Sequence, residues 1–204
     1  MRLLLITAVC AATLPRVAPA QQPARWRYGV VISAPTKLVK VDALAIPEGG
    51  TTPLSESNDS RVTLGLGAGL EVGRVWALGP RVAVIAFGRA QTASVTIHSG
   101  GGSWSPGRAF ISEAGARIER GISPQSGLFA ALGVSHWSGP SETAPFKNGA
   151  AALLVTEAGI TARPARSSWR FDLKANLTRF GANDDIALGS GSAWRFILGV
   201  SHER

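Results

Sequence analysis

The chain reads as an all-β protein: an eight-stranded antiparallel up-and-down barrel that crosses a membrane with its apolar side chains facing out. Three observations predict this. The first is alternation near the C-terminus, where Trp169, Phe171, Leu173, Ala175 and Leu177 are separated by Arg170, Asp172, Lys174, Asn176 and Thr178. Trp194, Phe196, Leu198 and Val200 repeat the pattern around Arg195, Gly199 and Ser201. A period of two puts the apolar set on one face of a strand and the charged set on the other. An aromatic at the head of each row suits a lipid interface. The second observation is that connections between strands alternate long and short. The third is tryptophan placement, with Trp26, Trp76 and Trp169 expected at the short-turn rim and Trp137 and Trp194 at the long-loop rim. That arrangement makes two interfacial belts.

Each strand follows from the same reading. The first runs over about 25–33, with Trp26, Tyr28, Val30 and Ile32 out and Arg25 and Arg27 in. The second, about 62–72, points Val62, Leu64, Leu66, Leu70 and Val72 out. Its inward set, Thr63, Gly65, Gly67, Gly69 and Glu71, leaves room for long side chains from opposite strands. In the third, about 82–97, Arg89 interrupts the row Ala83, Ile85, Phe87, and a β-bulge at that point would restore the phase. The fourth, about 109–119, has Phe110, Ala114, Ala116 and Ile118 out and Glu113, Arg117 and Glu119 in. The fifth (128–137) and sixth (149–162) place Leu128, Leu132, Val134, Leu154 and Ile160 on the lipid side. Long connections are expected at 35–60, 99–107, 138–148 and 181–191, and short ones at 73–81, 120–127 and 163–168. This puts both chain ends of the barrel at the short-turn, periplasmic rim.

Residues 1–20 are expected to be a signal peptide. Arg2 gives a basic start, Leu3 to Thr13 an apolar core, and Ala18-Pro19-Ala20 a cleavage motif before Gln21. The barrel domain is then 21–204. Cleavage would remove the only Cys, Cys10, leaving no disulfide and no thiolate chemistry. The formal charge of the whole chain is +8, but no Lys/Arg-rich run exists, so nucleic acid is not an expected partner. No apolar stretch after Gln21 reaches the roughly 18–20 residues of a spanning helix. Strands in a closed barrel are the other way to satisfy every backbone group in hydrocarbon.

The mature chain resembles the eight-stranded outer-membrane barrels of bacteria, the group of the OmpA transmembrane domain, OmpX and OmpW. The resemblance rests on Trp169-Arg-Phe-Asp-Leu-Lys-Ala-Asn-Leu177, on Ala193-Trp-Arg-Phe-Ile-Leu-Gly-Val-Ser201, and on the loop alternation. These patterns imply the architecture and an outer-membrane location, and say little about activity. The chain departs from the group by ending on Ser201-His-Glu-Arg204 rather than on an aromatic residue.

The expected interior carries Arg25, Arg27, Arg117, Arg170, Lys174 and Arg195 against Glu71, Glu113, Glu119, Glu157, Asp172 and Glu203. A balanced set points to paired ions filling a lumen only wide enough for side chains or one small ligand. Arg74, Arg81, Arg120, Arg163 and Arg166 would lie at the short-turn rim, where anionic headgroups attract them. Asn183, Asp184 and Asp185 read as a turn before they read as a calcium loop. His136-Trp-Ser138, with Glu142 and Glu157 downstream, resembles the His-x-Ser pairing of outer-membrane lipid A deacylases. There His would be general base, Ser nucleophile and Glu the orienting group. Here Gly139 stands where that group has Asn, and neither Glu has its spacing, so the pair is expected to be an interfacial His beside a loop Ser.

The expectation is therefore a non-enzymatic, monomeric outer-membrane barrel with no catalytic residues, cofactor or metal. Its partners would be outer-membrane lipids or lipopolysaccharide and an extracellular loop partner, and its role envelope integrity or surface contacts. The alternatives are a lipid-modifying hydrolase, a narrow channel, or a soluble periplasmic calycin-like barrel with the apolar rows turned inward.

Overall fold

The computed structural model describes residues 24–39, 61–99, 102–139, 150–180 and 191–204. The expected signal peptide, most of the 35–60 connection, Glu142 and Asn183 to Asp185 lie outside them. The described residues form nine strands: β1 (Arg25–Ser33), β2 (Thr36–Val39), β3 (Arg61–Ala77), β4 (Val82–Ser99), β5 (Gly102–Ser123), β6 (Ser126–Ser138), β7 (Ala150–Ala162), β8 (Trp169–Phe180) and β9 (Gly191–Glu203). Both β1 and β2 lie between β3 and β9, so they are two halves of one stave. Pro35 separates them, because its ring nitrogen has no hydrogen to give the ladder. Every pairing is antiparallel and β1 closes on β9, making an eight-stave barrel.

At one rim the connections are tight. Leu78 and Gly79 N–H both donate to Val82 O, turning β3 into β4. Only Pro124 and Gln125 separate β5 from β6. Residues 163–168 join β7 to β8, with Arg166 in the left-handed region at φ 58°. The start of β1 and the end of β9 meet at the same rim, where Trp26 and Arg204 exchange backbone hydrogen bonds of 2.7 and 2.8 Å.

The faces of the strands separate as the alternation predicts. Trp26, Tyr28, Val30 and Ile32 face out from β1, Leu128, Leu132 and Val134 from β6, Phe171 and Leu173 from β8, and Trp194, Phe196 and Leu198 from β9; all are exposed. Arg27, Glu113, Arg117, Glu157, Asp172, Lys174 and Arg195 are buried within. This is the reverse of a soluble ligand-binding barrel, so the calycin-like alternative is set aside.

Several expectations need correction. Arg89 sits on the inner face together with Ile85 and Phe87, with the β4–β5 register unbroken there; the bulge lies further on, between Val95 and Ile97. Leu64 is buried inside although Leu66 and Leu70 are exposed, because the β3 register shifts between Leu64 and Gly67. Trp137 belongs to no outer belt: Leu132, Val134 and His136 take the outward phase of β6, and Trp137 is fully enclosed. Finally, the expected loop at 99–107 is largely strand, since Ser103 pairs with His98 and Trp104 with Ile97, and β3 continues through Arg74 and Trp76 to Ala77.

Candidate functional site in the barrel interior

Eight charged side chains meet in the middle of the lumen. Arg89 projects from β4 and touches three carboxylates: Glu71 of β3 at 2.8 Å, Glu113 of β5 at 3.0 Å and Glu157 of β7 at 2.7 Å. Arg117 of β5 bonds the second oxygens of Glu71 and Glu157 at 3.2 and 3.0 Å, and Asp172 of β8 at 3.3 Å. Lys174 Nζ donates to Glu71 at 2.6 Å and lies 3.7 Å from Asp172. Arg195 of β9 donates to Glu113 and, at 2.9 Å, to Asn176 Oδ1. Four cations therefore face four carboxylates, and six different strands supply them. Neutrality is what allows the cluster to be buried. A lone buried ion costs several kcal/mol, and an opposite charge with good hydrogen bonds offsets that cost.

Local sequence makes room for these long side chains. A methyl group on Gly199 would stand 3.3 Å from Lys174 Cε. On Gly159 it would meet the Phe129 ring at 2.5 Å. That ring matters, because Arg117 Cζ rests 4.3 Å from its centroid and 5.4 Å from that of Phe87. Guanidinium over an aromatic face adds attraction that grows when water is excluded.

A second ionic group sits at the short-turn mouth. Arg27 donates to Glu119 at 3.2 Å and Glu203 at 3.1 Å, and Arg170 bonds the same two carboxylates. Arg25, expected inside, stands half exposed and reaches Glu203 at 3.5 Å. A cavity of about 460 Å³ opens below this group, lined by Arg81, Arg163 and the short turns. Towards the long-loop end the filling changes character. Leu64, Val95, Ile111, Trp137 and Leu153 are buried there. Trp137 Nε1 donates to Ser135 Oγ at 2.6 Å, while its ring lies 5.3 Å from Arg195 Cζ. The lumen is thus ionic in the middle and uncharged and largely apolar above, with Gln91, Ser135 and Thr178 as buried polar groups there.

The deacylase-like residues are not brought together. His136 faces out from β6, opposite Ser112 and Ala152, with Ser138 two residues on. Glu157 points the other way, into the ion cluster. Among the described residues no group of three His, Cys, Asp or Glu has metal-binding geometry. Sequence reasoning missed Arg89 and the amide of Asn176 as members of the cluster. The signal for Arg89 was present in the alternate row Val84, Ala86, Gly88, Ala90, which carries no polar side chain over the same stretch.

Comparison with solved structures bears on the fold. The outer membrane protein OprG from Pseudomonas aeruginosa superposes with a TM-score of 0.50 at 11% identity, over 89% of this chain and 95% of that one. Ail, the attachment invasion locus protein of Yersinia pestis, gives 0.48 at 10% identity, over 90% of this chain and all of the other. The chain has the fold of the eight-stranded outer-membrane barrels. No protein-family model matches it, and no curated protein does.

Proposed function

We propose that the protein is a monomeric, non-enzymatic integral barrel of the bacterial outer membrane that works with its lumen closed, through its walls and its long-loop rim, in envelope integrity or surface contacts. The observation that carries this is the central cluster, where Arg89 alone holds carboxylates from three strands across the barrel interior. Outward apolar rows support lipid as the surrounding medium, because exposing Leu70, Leu132, Val134 and Phe196 together to water is unfavourable. At the long-loop end Lys37, Arg108 and Arg179 are exposed on the outer face, which suits contact with anionic lipopolysaccharide. The paired roles of Glu157 and the outward direction of His136 support the non-enzymatic reading.

The test is conductance. Refolded wild-type protein in a planar bilayer is expected to give no steady single-channel current, and Glu113→Gln is expected to raise the frequency of brief openings. A steady wild-type conductance would favour the narrow channel instead. Release of acyl chains from lipid A that Ser138→Ala abolishes would replace the proposal with a hydrolase.

A further inference from the structure

Arg74 is a cation on the outer face of the barrel that lies against two indoles. It faces outward from β3, directly across from Trp26 of β1 and two residues from Trp76 on the same face. Its Cζ lies 5.6 Å from the Trp26 ring centroid and 5.5 Å from that of Trp76. Trp26 in turn stacks on Tyr28 at 6.2 Å. Ring faces attract the guanidinium but accept none of its N–H edges. Among the described residues, Arg74 has no carboxylate or other acceptor, whereas Arg27, one strand away and facing inward, bonds two. The wall beside Arg74 is shallow. Its neighbour across β4 is Ala86, and Val72 and Leu70 lie against Gly88 and Ala90. These in turn lie against Ala116, Ala114 and Ser112 of β5. Val72 and Leu70 rise on one side of this trough, Leu132 and Val134 of β6 on the other.

We propose that Trp26, Arg74 and Trp76 form a binding site for the phosphate of a membrane phospholipid, with an acyl chain lying in the trough over β4 and β5. The inference rests on the reading that the barrel spans a membrane. Arg74 sits at the height of the indoles, where headgroup phosphates run, and a planar guanidinium pairs with a phosphate through two parallel hydrogen bonds. The indoles hold the guanidinium's orientation, and the small residues leave a hydrocarbon chain room against the wall.

Native mass spectrometry of the full mature chain in non-ionic detergent micelles tests this, with dioleoyl-phosphatidylglycerol as probe and dioleoylglycerol as the phosphate-free control. Wild type is expected to retain phosphatidylglycerol and not dioleoylglycerol. Arg74→Gln is expected to lose about tenfold in retention, the scale of a lost charge-assisted hydrogen-bond pair. Arg120→Gln, at an exposed cation of the same rim with no indole against it among the described residues, is expected to lose far less than Arg74→Gln does. Equal retention by Arg74→Gln and wild type would overturn the proposal, as would equal retention of dioleoylglycerol, or displacement by millimolar inorganic phosphate. Heat-modifiable migration of both proteins in vesicles keeps the two readings apart. If wild type does not insert, the membrane reading fails. If both insert and bind alike, only the lipid site fails.

Discussion

The two halves of the lumen are filled by different physics. In the middle, Arg89, Arg117, Lys174 and Arg195 are held by Glu71, Glu113, Glu157 and Asp172 through contacts that several partners share. Towards the long loops, Leu64, Val95, Ile111 and Trp137 fill the space by shape. Deleting an atom from the apolar half leaves a void whose cost grows with its volume. Deleting a charge from the ionic half leaves opposite charges buried and unpaired, so the damage is out of proportion to the atoms removed. The ionic half therefore behaves as one unit, while the apolar half fails by increments.

Arg89→Met carries the largest expected effect, because Glu71, Glu113 and Glu157 all lose a partner at once. Loss of one member of a buried ion set costs about 3–5 kcal/mol, to be read from urea unfolding of the barrel in lipid vesicles. A loss below about 1 kcal/mol, the range of exposed pairs, would show that water reaches the cluster. The next effect is a rescue. Adding Glu157→Gln to Arg89→Met removes one of the stranded charges, and a coupling of about 0.5–3 kcal/mol is expected from the double-mutant cycle. Strict additivity would mean that the two residues do not share a network.

The difference between the halves also explains what the sequence made legible. Alternation revealed the direction of nearly every outward residue, because the hydrocarbon core penalises ions on that face, so that cations such as Arg74, Arg108 and Arg179 stand only towards the rims and the pattern between them is one-sided. Six inward carboxylates and five inward cations were readable for the same reason. The interior is not one-sided, since it accepts ions in one half and apolar groups in the other. Hence Phe87 and Ile85 looked as if they belonged outside and made Arg89 look like the interruption, when all three share the inner face. Trp137 misled in the same way: an aromatic near a rim suits a lipid belt or an apolar plug, and only the phase of its neighbours Val134 and His136 separates them. Leu64 was illegible for a different reason. A bulge between Leu64 and Gly67 reverses the faces of β3, and a Gly-rich run does not announce which residue is extra. Which residues share a carboxylate was beyond reach, because that depends on register across strands far apart in the chain.

Ile111→Val sharpens the apolar side of the comparison. Ile111 is fully buried, and removing one methylene group is expected to cost about 0.5–1.5 kcal/mol. No second-site charge change should rescue it, and the same vesicle unfolding experiment run on Ile111→Val with Glu157→Gln is expected to give additive losses within about 0.5 kcal/mol.

The smallest expected effect falls at the mouth, where the two ionic groups can be compared at constant chemistry. Arg25 reaches Glu203 as Arg89 reaches Glu113, a guanidinium against a carboxylate, but the Arg25 side chain is 49% exposed and that of Arg89 is 0%. Water already solvates Arg25, and Glu203 keeps Arg27 and Arg170 when Arg25 is gone. Arg25→Gln is therefore expected to change stability by less than about 1 kcal/mol, and by less still in high salt, which screens an exposed pair. A loss rivalling that of Arg89→Met would mean that the mouth is as dry as the centre. The position of each ion along the barrel would then no longer set its worth.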